Sequence, residues 1–217
     1  MFVYPLLKPA KRCYNIGMII DKIETKRNKT TVFCGEKSYS FHPQILSKYD
    51  VKEGEIDAKK FFEAKNESDR LLCRRQLYAL IDRSEKSKNA YIDALTNRGH
   101  AYKIAAEEAD EAEKRGLIDD RRYAECYLHL HEKAKGWYRI ANELKAKGVP
   151  AEIVDELKED FGDHTEECAR QAEKIMKGQE NTYENRQKAY AKLMRKGFSS
   201  DEIVRALEKY GSGSFDE

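Results

Sequence analysis

The chain has 217 residues, of which 37% are charged and 40% hydrophobic, and its formal net charge is only +2. The length allows one or two ordinary domains or an array of small units. A near-neutral total does not by itself indicate a nucleic-acid-binding protein, so the distribution of charge along the chain has to decide that question. Five cysteines without a CxxC pair argue against a disulfide scaffold or a zinc finger, and they fit a reducing cytoplasm.

The first 67 residues are predicted to form a small β-rich region. The β-branched run IGMIIDKIET precedes a polar turn, KRNK, and the segments TTVFC and KSYSFH flank a tight GE turn. These patterns indicate three strands of an antiparallel sheet. PQILSKYDVKEGEI then indicates a short helix and a turn, and DAKKFFEAKNESD is expected to lead helically into the rest of the chain.

Three later segments share one pattern: KNAYIDALTNRG, GWYRIANELKAKG and NRQKAYAKLMRKG. They end at Gly99, Gly148 and Gly197, which lie 49 residues apart. Each glycine has a leucine four positions before it and a basic residue directly before it. The apolar residues have helical spacing, and a glycine just beyond a helix ends it at little steric cost. Each glycine is therefore predicted to end a helix.

A longer helical segment precedes each of these helices, and another helical segment follows it. The preceding segments are SDRLLCRRQLYALI, DDRRYAECYLHLHEKAK and HTEECARQAEKIMKG, and the following ones are HAYKIAAEEADEAEKRG, VPAEIVDEL and FSSDEIVRALEKY. Pro150 and either Ser199 or Ser200 are expected to begin the last two. Asp119 and Asp120 suit the positive end of the helix that they open. The sequence thus predicts three repeats of three helices.

The predicted fold is mostly α. Three tandem three-helix repeats form an elongated curved array, which is preceded in the sequence by a small antiparallel β-containing N-terminal region. The predicted boundaries are 1–67 for the N-terminal β-rich region with its short helix, 68–117, 118–162 and 163–211 for the repeats, and 212–217 for a flexible tail.

Charge is distributed unevenly among the helices of the repeats. The segment 135–148 has four bases and one acid, the segment 184–197 has five bases and one acid, and the segment 152–160 has five acids and one base. Equivalent helices line up in a stack of repeats, so we predict a basic side and an acidic side. A basic side suits a phosphate backbone or an acidic protein surface. The alternative is a set of solvated helix faces with ion pairs along each helix.

The candidate functional surface consists of basic residues of the second helices. They are Lys135, Arg139, Lys145, Lys147, Arg186, Lys188, Lys192, Arg195 and Lys196, with Arg74 and Arg75 as the candidates in the first repeat. For Trp137 and Tyr138 two roles are open, stacking on a base or a partner and packing in the core, and we favour the core for Trp137.

No recognisable catalytic or metal-binding pattern is present in the sequence. Cys126 and His129 are three residues apart on a predicted helix, but a second pair of ligands is lacking. The acids between Glu107 and Glu113 radiate around their helix, as the residues of a solvated face do. A Ser-His-Asp order, a phosphate-binding glycine loop and a nucleophile elbow are missing. We therefore expect no enzyme activity, no cofactor and no obligatory metal.

The middle repeat, GLIDDRRYAECYLHLHEKAKGWYRIANELKAKGVPAEIVDEL, resembles the RecX family of regulatory proteins. That family typically shows a leucine or tyrosine, an acidic pair and Arg-Phe/Tyr-Ala, followed by a glycine-rich spacer and Arg-Ile-x-x-Glu-Leu-x-x-Lys-Gly. The matching residues are Leu117, Asp119, Asp120, Arg122, Tyr123, Ala124, Gly136, Arg139, Ile140, Glu143, Leu144, Lys147 and Gly148. KLMRKGFSSDEIVRAL is equally typical, and the strand-rich N-terminus resembles an extension of some members, so the resemblance covers nearly the whole chain.

The resemblance implies a non-enzymatic regulator that binds the RecA protein and RecA–ssDNA filaments and limits filament growth or RecA activity. It would act in DNA recombination, DNA repair and the SOS response, and direct binding to DNA is a further expectation. The alternative is a helical-repeat nucleic-acid-binding protein without a RecA partner. We expect a cytoplasmic monomer with no membrane partner, since no stretch approaches about 18 apolar residues.

Overall fold

The structure, a computed structural model, describes residues 17–26 and 29–211. Within these ranges the chain forms five β-strands, β1 to β5, and ten α-helices, α1 to α10. The predicted tail at 212–217 and the centre of the predicted KRNK turn lie outside the described residues. The chain divides into two compact units, of which the first ends at Arg75 and the second begins at Gln76.

The first unit contains two small antiparallel sheets. β1 (Gly17–Ile20) pairs with β5 (Gly54–Asp57), whereas β2 (Lys22–Lys26), β3 (Lys29–Cys34) and β4 (Lys37–Phe41) form a three-stranded meander. The predicted GE turn joins β3 to β4, with Gly35 at a φ of +58° that favours glycine.

The prediction differs from this topology at two points. The single strand predicted from IGMIIDKIET is two strands in different sheets, which are separated by Asp21. The GEI segment, predicted as part of a turn, belongs to β5, where Ile56 is buried opposite Met18. A four-residue strand with one apolar side chain lacks the alternation that reveals a strand locally, so its pairing with β1 decides its conformation.

The core of the first unit lies between these sheets and two helices. α1 (Pro43–Lys48) buries Ile45, and α2 (Ala58–Ile81) places Phe61 against Phe41 with ring centroids 5.4 Å apart. α2 is continuous through residue 68, at which the first repeat was predicted to begin.

The second unit continues with eight further helices. They are α3 (Lys88–Thr96), α4 (Tyr102–Lys114), α5 (Asp120–His131), α6 (Trp137–Ala146), α7 (Ala151–Phe161), α8 (Thr165–Met176), α9 (Tyr183–Arg195) and α10 (Ser200–Leu207), followed by a 3₁₀ turn at Glu208–Tyr210. Together with α2 they make three sets of three helices in chain order. The predicted mostly α fold, with three-helix repeats after a small antiparallel β-containing region, is confirmed. No helix among the residues described is long and apolar enough to cross a membrane.

The second helices of the repeats, α3, α6 and α9, end in the same hydrogen-bonded turn. Gly99, Gly148 and Gly197 have φ values of +90°, +83° and +90°, so the prediction that they end helices is confirmed. The residue after each glycine donates its N–H to the carbonyl of the leucine five positions earlier, which is the Schellman arrangement. The pairs are His100 to Leu95 (3.2 Å), Val149 to Leu144 (3.1 Å) and Phe198 to Leu193 (3.4 Å). The repeated leucine–glycine spacing is therefore the signature of this turn.

The predicted helix starts also lie where the sequence places them. Ser199 caps α10 and forms a capping box with Glu202, Pro150 directly precedes α7, and Asp119 accepts a hydrogen bond of 2.9 Å from the Arg122 N–H at the start of α5. The side chains of Ser199 and Asp119 accept from backbone N–H groups that would otherwise lack a partner in the first turn.

Candidate interaction surface

The second helices lie head to tail at the junction of repeats two and three. The Gly136 N–H donates to the Lys196 carbonyl (3.0 Å), and the Tyr138 N–H donates to the Gly197 carbonyl (3.1 Å). The first turn of α6 therefore supplies donors to carbonyls that the last turn of α9 leaves free. The positive end of one helix dipole meets the negative end of the next, which favours the contact.

At the junction of repeats one and two the start of α3 likewise meets the end of α6, but here the hydrogen-bond donors are side chains. The Ser87 hydroxyl, which caps α3, donates to the Lys147 carbonyl, and the Asn89 amide donates to the Gly148 carbonyl at 2.8 Å. α3, α6 and α9 thus form a continuous column, which we call the second-helix column.

Four of the predicted basic residues on this column are exposed and only loosely held. Lys188, Lys192 and Arg195 share one face of α9, since they are spaced by four and three residues. Lys188 pairs with the exposed Glu184 of its own helix at 2.7 Å, and Lys145 on α6 lies 3.8 Å from Asp155. Such exposed pairs contribute little to stability and leave the cations available to a partner. We call Lys145, Lys188, Lys192 and Arg195 the exposed basic set.

Lys135 and Arg139 are held instead by an internal network centred on Glu143. One carboxylate oxygen accepts from Lys135 Nζ (2.5 Å) and from the Tyr127 hydroxyl (2.6 Å), and the other accepts from Arg139 Nε (2.9 Å). Burial opposes ionisation of this carboxylate, but the hydrogen bonds from these three side chains outweigh it and hold the pKa of Glu143 at about 2.

Lys147 belongs to the surroundings of the same network. Its ammonium lies 5.2 Å from the centroid of the Tyr127 ring, and the His131 ring packs on Tyr127 at 4.3 Å. Burial, followed by the hydrogen bond to Glu143, raises the pKa of Tyr127. The tyrosine therefore stays neutral and donates its proton to Glu143. Lys135 and Lys147 accordingly connect α5 to α6 within repeat two, whereas Arg139 pairs with Glu143 on its own helix.

Two further candidates support helix packing in repeat three. Arg186 Nη1 donates to the Tyr210 carbonyl at 3.0 Å, and Lys196 Nζ donates to Gln171 Oε1 at 2.7 Å. Burial, together with the positive charges of Lys174 and Arg139, lowers the pKa of Lys196. Both cations are half-buried, so they are not part of the exposed basic set.

The two candidates of the first repeat lie on α2, a first helix, and not on a second helix. Arg75 is bonded through Nη1 to the imidazole of His42 at 2.7 Å. The second helix of that repeat, α3, carries Lys88, which pairs with Glu113 (2.8 Å) and Asp110 (3.2 Å). The basic character of α6 and α9 does not extend to α3.

Trp137 and Tyr138 have opposite environments. Trp137 is 9% exposed and its ring lies 5.3 Å from that of Phe161, so it is a core residue. Tyr138 is 57% exposed. It lines a groove of about 390 Å³ between α6 and the end of α9, which is also lined by Arg139, Asn142, Glu143, Ala146, Met194, Arg195 and Gly197.

Sequence reasoning did not single out Asn142, Glu143 or Met194 as parts of a site. Glu143 carried two signals, because it is the one acid among the bases of segment 135–148 and it belongs to the motif that resembles the RecX family. Met194 is an exposed apolar residue off the buried stripe of α9, a feature that becomes visible only once the helix is packed.

Cys126 and His129, the pair dismissed above as metal ligands, gain no third ligand among the residues that the structure describes. Cys126 is exposed, and His129 pairs with Glu132 at 3.2 Å. Within residues 17–26 and 29–211, no group of three or more His, Cys, Asp or Glu residues is arranged to hold a metal ion.

The Glu143 network makes stability sensitive to acid. The pKa of Glu143 in the folded chain, about 2, lies below the usual 4.5, so the network stabilises the fold above about pH 4.5 and is lost as the pH falls towards 2. We expect Glu143→Gln to lower the free energy of unfolding by about 1–3 kcal/mol at neutral pH. Urea unfolding followed by Trp137 fluorescence should show the free energies of unfolding of wild type and Glu143→Gln converging as the pH falls from 4.5 to 2.

Glu184→Gln provides the control for this measurement. Glu184 also accepts from a lysine, but its side chain is 78% exposed, so solvent screens the pair and its removal should leave the free energy of unfolding almost unchanged. A difference in the free energy of unfolding between wild type and Glu143→Gln that does not change with pH would contradict the role assigned to the carboxylate.

Two family models match the second unit of the chain. The model described as the second three-helix domain of RecX matches residues 119–157, and the one described as the third three-helix domain of RecX matches residues 163–207. These ranges span most of α5 to α7 and all of α8 to α10.

Curated relatives agree with these matches. The regulatory protein RecX of Chlorobium phaeobacteroides is 30% identical over 135 residues, which cover 60% of this chain and 87% of that protein. The regulatory protein RecX of Clostridium tetani is 29% identical over 201 residues, which cover 88% of this chain and 93% of that protein. The RecX of Bacillus licheniformis is 28% identical over 201 residues, covering 88% of this chain and 76% of its own length.

Solved structures show the same fold. A crystal structure of regulatory protein RecX matches with a TM-score of 0.64 and 19% identity, covering 89% of this chain and 98% of the other. The crystal structure of RecX from Lactobacillus salivarius matches with a TM-score of 0.60 and 22% identity, covering 65% of this chain and 96% of the other.

Proposed function

This chain belongs to the RecX family of regulatory proteins, and on that premise we propose that it binds RecA–DNA filaments and inhibits or modulates RecA activity in recombination and DNA repair. The feature of this chain that supports the proposal is the exposed basic set on the second-helix column. These four cations lack strong internal partners, in contrast to the cations around Glu143.

The exposed basic set suits a partner with a high density of negative charge. Nucleic acid in a filament offers a regular row of phosphates, and lysine or arginine contacts to phosphates release counterions on binding. Arg195 can donate two parallel hydrogen bonds to one phosphate or carboxylate, whereas the three lysines act as point charges. We therefore expect binding that weakens steeply as the salt concentration rises.

The proposal assigns no catalytic step and no cofactor to the chain. The exposed cations would act by occupying a surface of the filament, so the effect on RecA would follow the fraction of filament bound. A monomer suffices for this, since the exposed basic set lies within one chain.

The direct test is the ATPase activity of RecA on single-stranded DNA as this protein is added. We expect ATP hydrolysis to fall with increasing protein, and the inhibition to weaken as salt is raised, since exposed charges govern the encounter. Undiminished hydrolysis at concentrations that saturate the filament in a sedimentation assay would reject inhibition as the function.

The second candidate function is nucleic-acid binding without a RecA partner, which the basic face of α9 would also support. A salt titration of single-stranded DNA binding, performed with and without RecA, separates the two. Tighter binding to RecA-coated DNA than to bare DNA supports the filament regulator, whereas equal or weaker binding to the coated strand supports the second candidate.

A further inference from the structure

The groove between α6 and α9 exposes two large apolar side chains at the surface of the second-helix column. Tyr138 in the first turn of α6 is 57% exposed, and Met194 in the last turn of α9 is 44% exposed. Both line the same groove of about 390 Å³. An exposed ring and thioether at the junction of two helices, bordered by charged residues, have the character of a binding site.

The polar groups of the groove are suited to a planar, hydrogen-bonding occupant. Asn142 is exposed and its amide makes no hydrogen bond to any other residue in the part of the chain that the structure describes. An amide offers donors and an acceptor together, so by rotating it can hydrogen-bond to the edge of any nucleobase. Arg139 and Arg195 at the groove border supply cations.

The charge inside the groove distinguishes a nucleobase from an acidic peptide. The groove contains the carboxylate of Glu143, which the hydrogen bonds from Lys135 and Arg139 keep ionised. Lys135 and Arg139 already neutralise this carboxylate, so an aspartate or glutamate side chain entering the groove would have to displace Glu143 in order to pair with Arg139. A nucleobase is neutral, while its phosphates would remain outside, next to Arg195 and the lysines of α9.

From this arrangement we propose that the groove holds one unstacked base of single-stranded nucleic acid, with the base stacked on Tyr138 and its edge facing Asn142. The proposal rests on the proposed function, because it assigns one nucleotide of the bound filament to a defined place on this chain. Stacking on a single exposed ring accepts any base, so the groove selects unpaired over paired strands and does not select a sequence.

The test measures direct binding without RecA, by fluorescence anisotropy of two labelled oligonucleotides of equal length. One is oligothymidylate, and the other has the same phosphate backbone with abasic sites. Both present the same charge to the exposed basic set, so a difference in affinity reports on the bases. We expect wild type to bind the thymidylate about tenfold more tightly, the effect of stacking one base.

Three variants identify the ring responsible. Tyr138→Ala should bind thymidylate only as tightly as the abasic strand, with its affinity for the abasic strand unchanged, and Tyr138→Phe should keep the preference. Tyr183→Ala is the matched control, because Tyr183 is similarly exposed at the start of α9 but does not line the groove. It should also keep the full preference.

Equal affinity of wild type for the two strands, or an undiminished preference in Tyr138→Ala, overturns the proposal. Tyr138-dependent binding of a glutamate-rich peptide in place of the oligonucleotide overturns it as well, and assigns the groove to a protein partner. None of these measurements contains RecA. Loss of ATPase inhibition therefore tests the proposed function, and loss of the base preference tests the groove.

Discussion

Changing Lys145, Lys188, Lys192 and Arg195 together to glutamate is expected to weaken binding to RecA–DNA filaments by about two orders of magnitude and to relieve inhibition of the RecA ATPase. Removing one phosphate interaction should reduce the slope of the logarithm of the binding constant against the logarithm of salt by about 1, so the slope should fall by up to about 4. Surface substitutions of this kind change stability little, so the fold should remain.

Arg139 is left unchanged in this variant for a structural reason. Its Nε donates to Glu143 at 2.9 Å, and a glutamate in its place would set two carboxylates side by side in a partly buried network. The reversal would then lower stability and binding together, and the two effects could not be separated.

The matched control reverses Lys103, Lys114, Lys133 and Lys158. These four lysines are exposed on other helices or loops of the second unit, and the change in net charge is identical. The control should inhibit RecA as wild type does. Equal loss of inhibition in both variants would mean that total charge, and not the exposed basic set, governs binding. Full inhibition by the first variant would show that the functional surface lies elsewhere on the chain.

Gly136→Ala is expected to be among the most destabilising single substitutions in the second unit, with a loss of about 3–5 kcal/mol. A Cβ at this position would lie 2.2 Å from the Gly197 carbonyl oxygen and 2.4 Å from the Phe198 nitrogen, and both are backbone atoms that cannot move independently. Gly136 has an ordinary φ of −80°, so the loss would come from the close approach of α6 to α9 and not from backbone strain.

Gly99→Ala isolates the other possible cause of destabilisation, the backbone strain of a residue with positive φ. Gly99 has a φ of +90°, but nothing lies within 4 Å of the position that its Cβ would take, so only the strain of a left-handed residue remains, about 1–2 kcal/mol. Gly197→Ala combines the same φ with a contact of 2.3 Å to the Arg139 nitrogen, and it should cost at least as much as Gly136→Ala.

Urea unfolding followed by the fluorescence of Trp137 measures all three glycine variants, because this single tryptophan packs beside the α6–α9 junction. If Gly136→Ala lowers the free energy of unfolding no more than Gly99→Ala does, the backbones of α6 and α9 can separate at little cost. The head-to-tail junction would then contribute little to the stability of the fold.

The repeat architecture was predictable because its signals are local. A leucine four residues before a glycine encodes the Schellman turn within one helix end, and Ser199 with Glu202 encodes a cap within one helix start. These interactions span no more than five residues, so they repeat with the sequence and can be recognised from it. The strand at Gly54–Asp57 was not predictable, since its partner Gly17–Ile20 lies far away in the chain.

The sequence by itself also determined that α6 and α9 are rich in bases, but only the tertiary structure decided which of those bases remain available. Glu143 accepts hydrogen bonds from Lys135 and Arg139. The Tyr210 carbonyl accepts one from Arg186, and the Gln171 side-chain oxygen accepts one from Lys196. Each partner except Glu143 lies on another element, and Glu143 itself is brought to Lys135 and Tyr127 by the packing of α5 on α6. Counting charges along a chain measures composition, whereas the availability of a cation depends on which acceptors the packed helices bring within hydrogen-bonding distance.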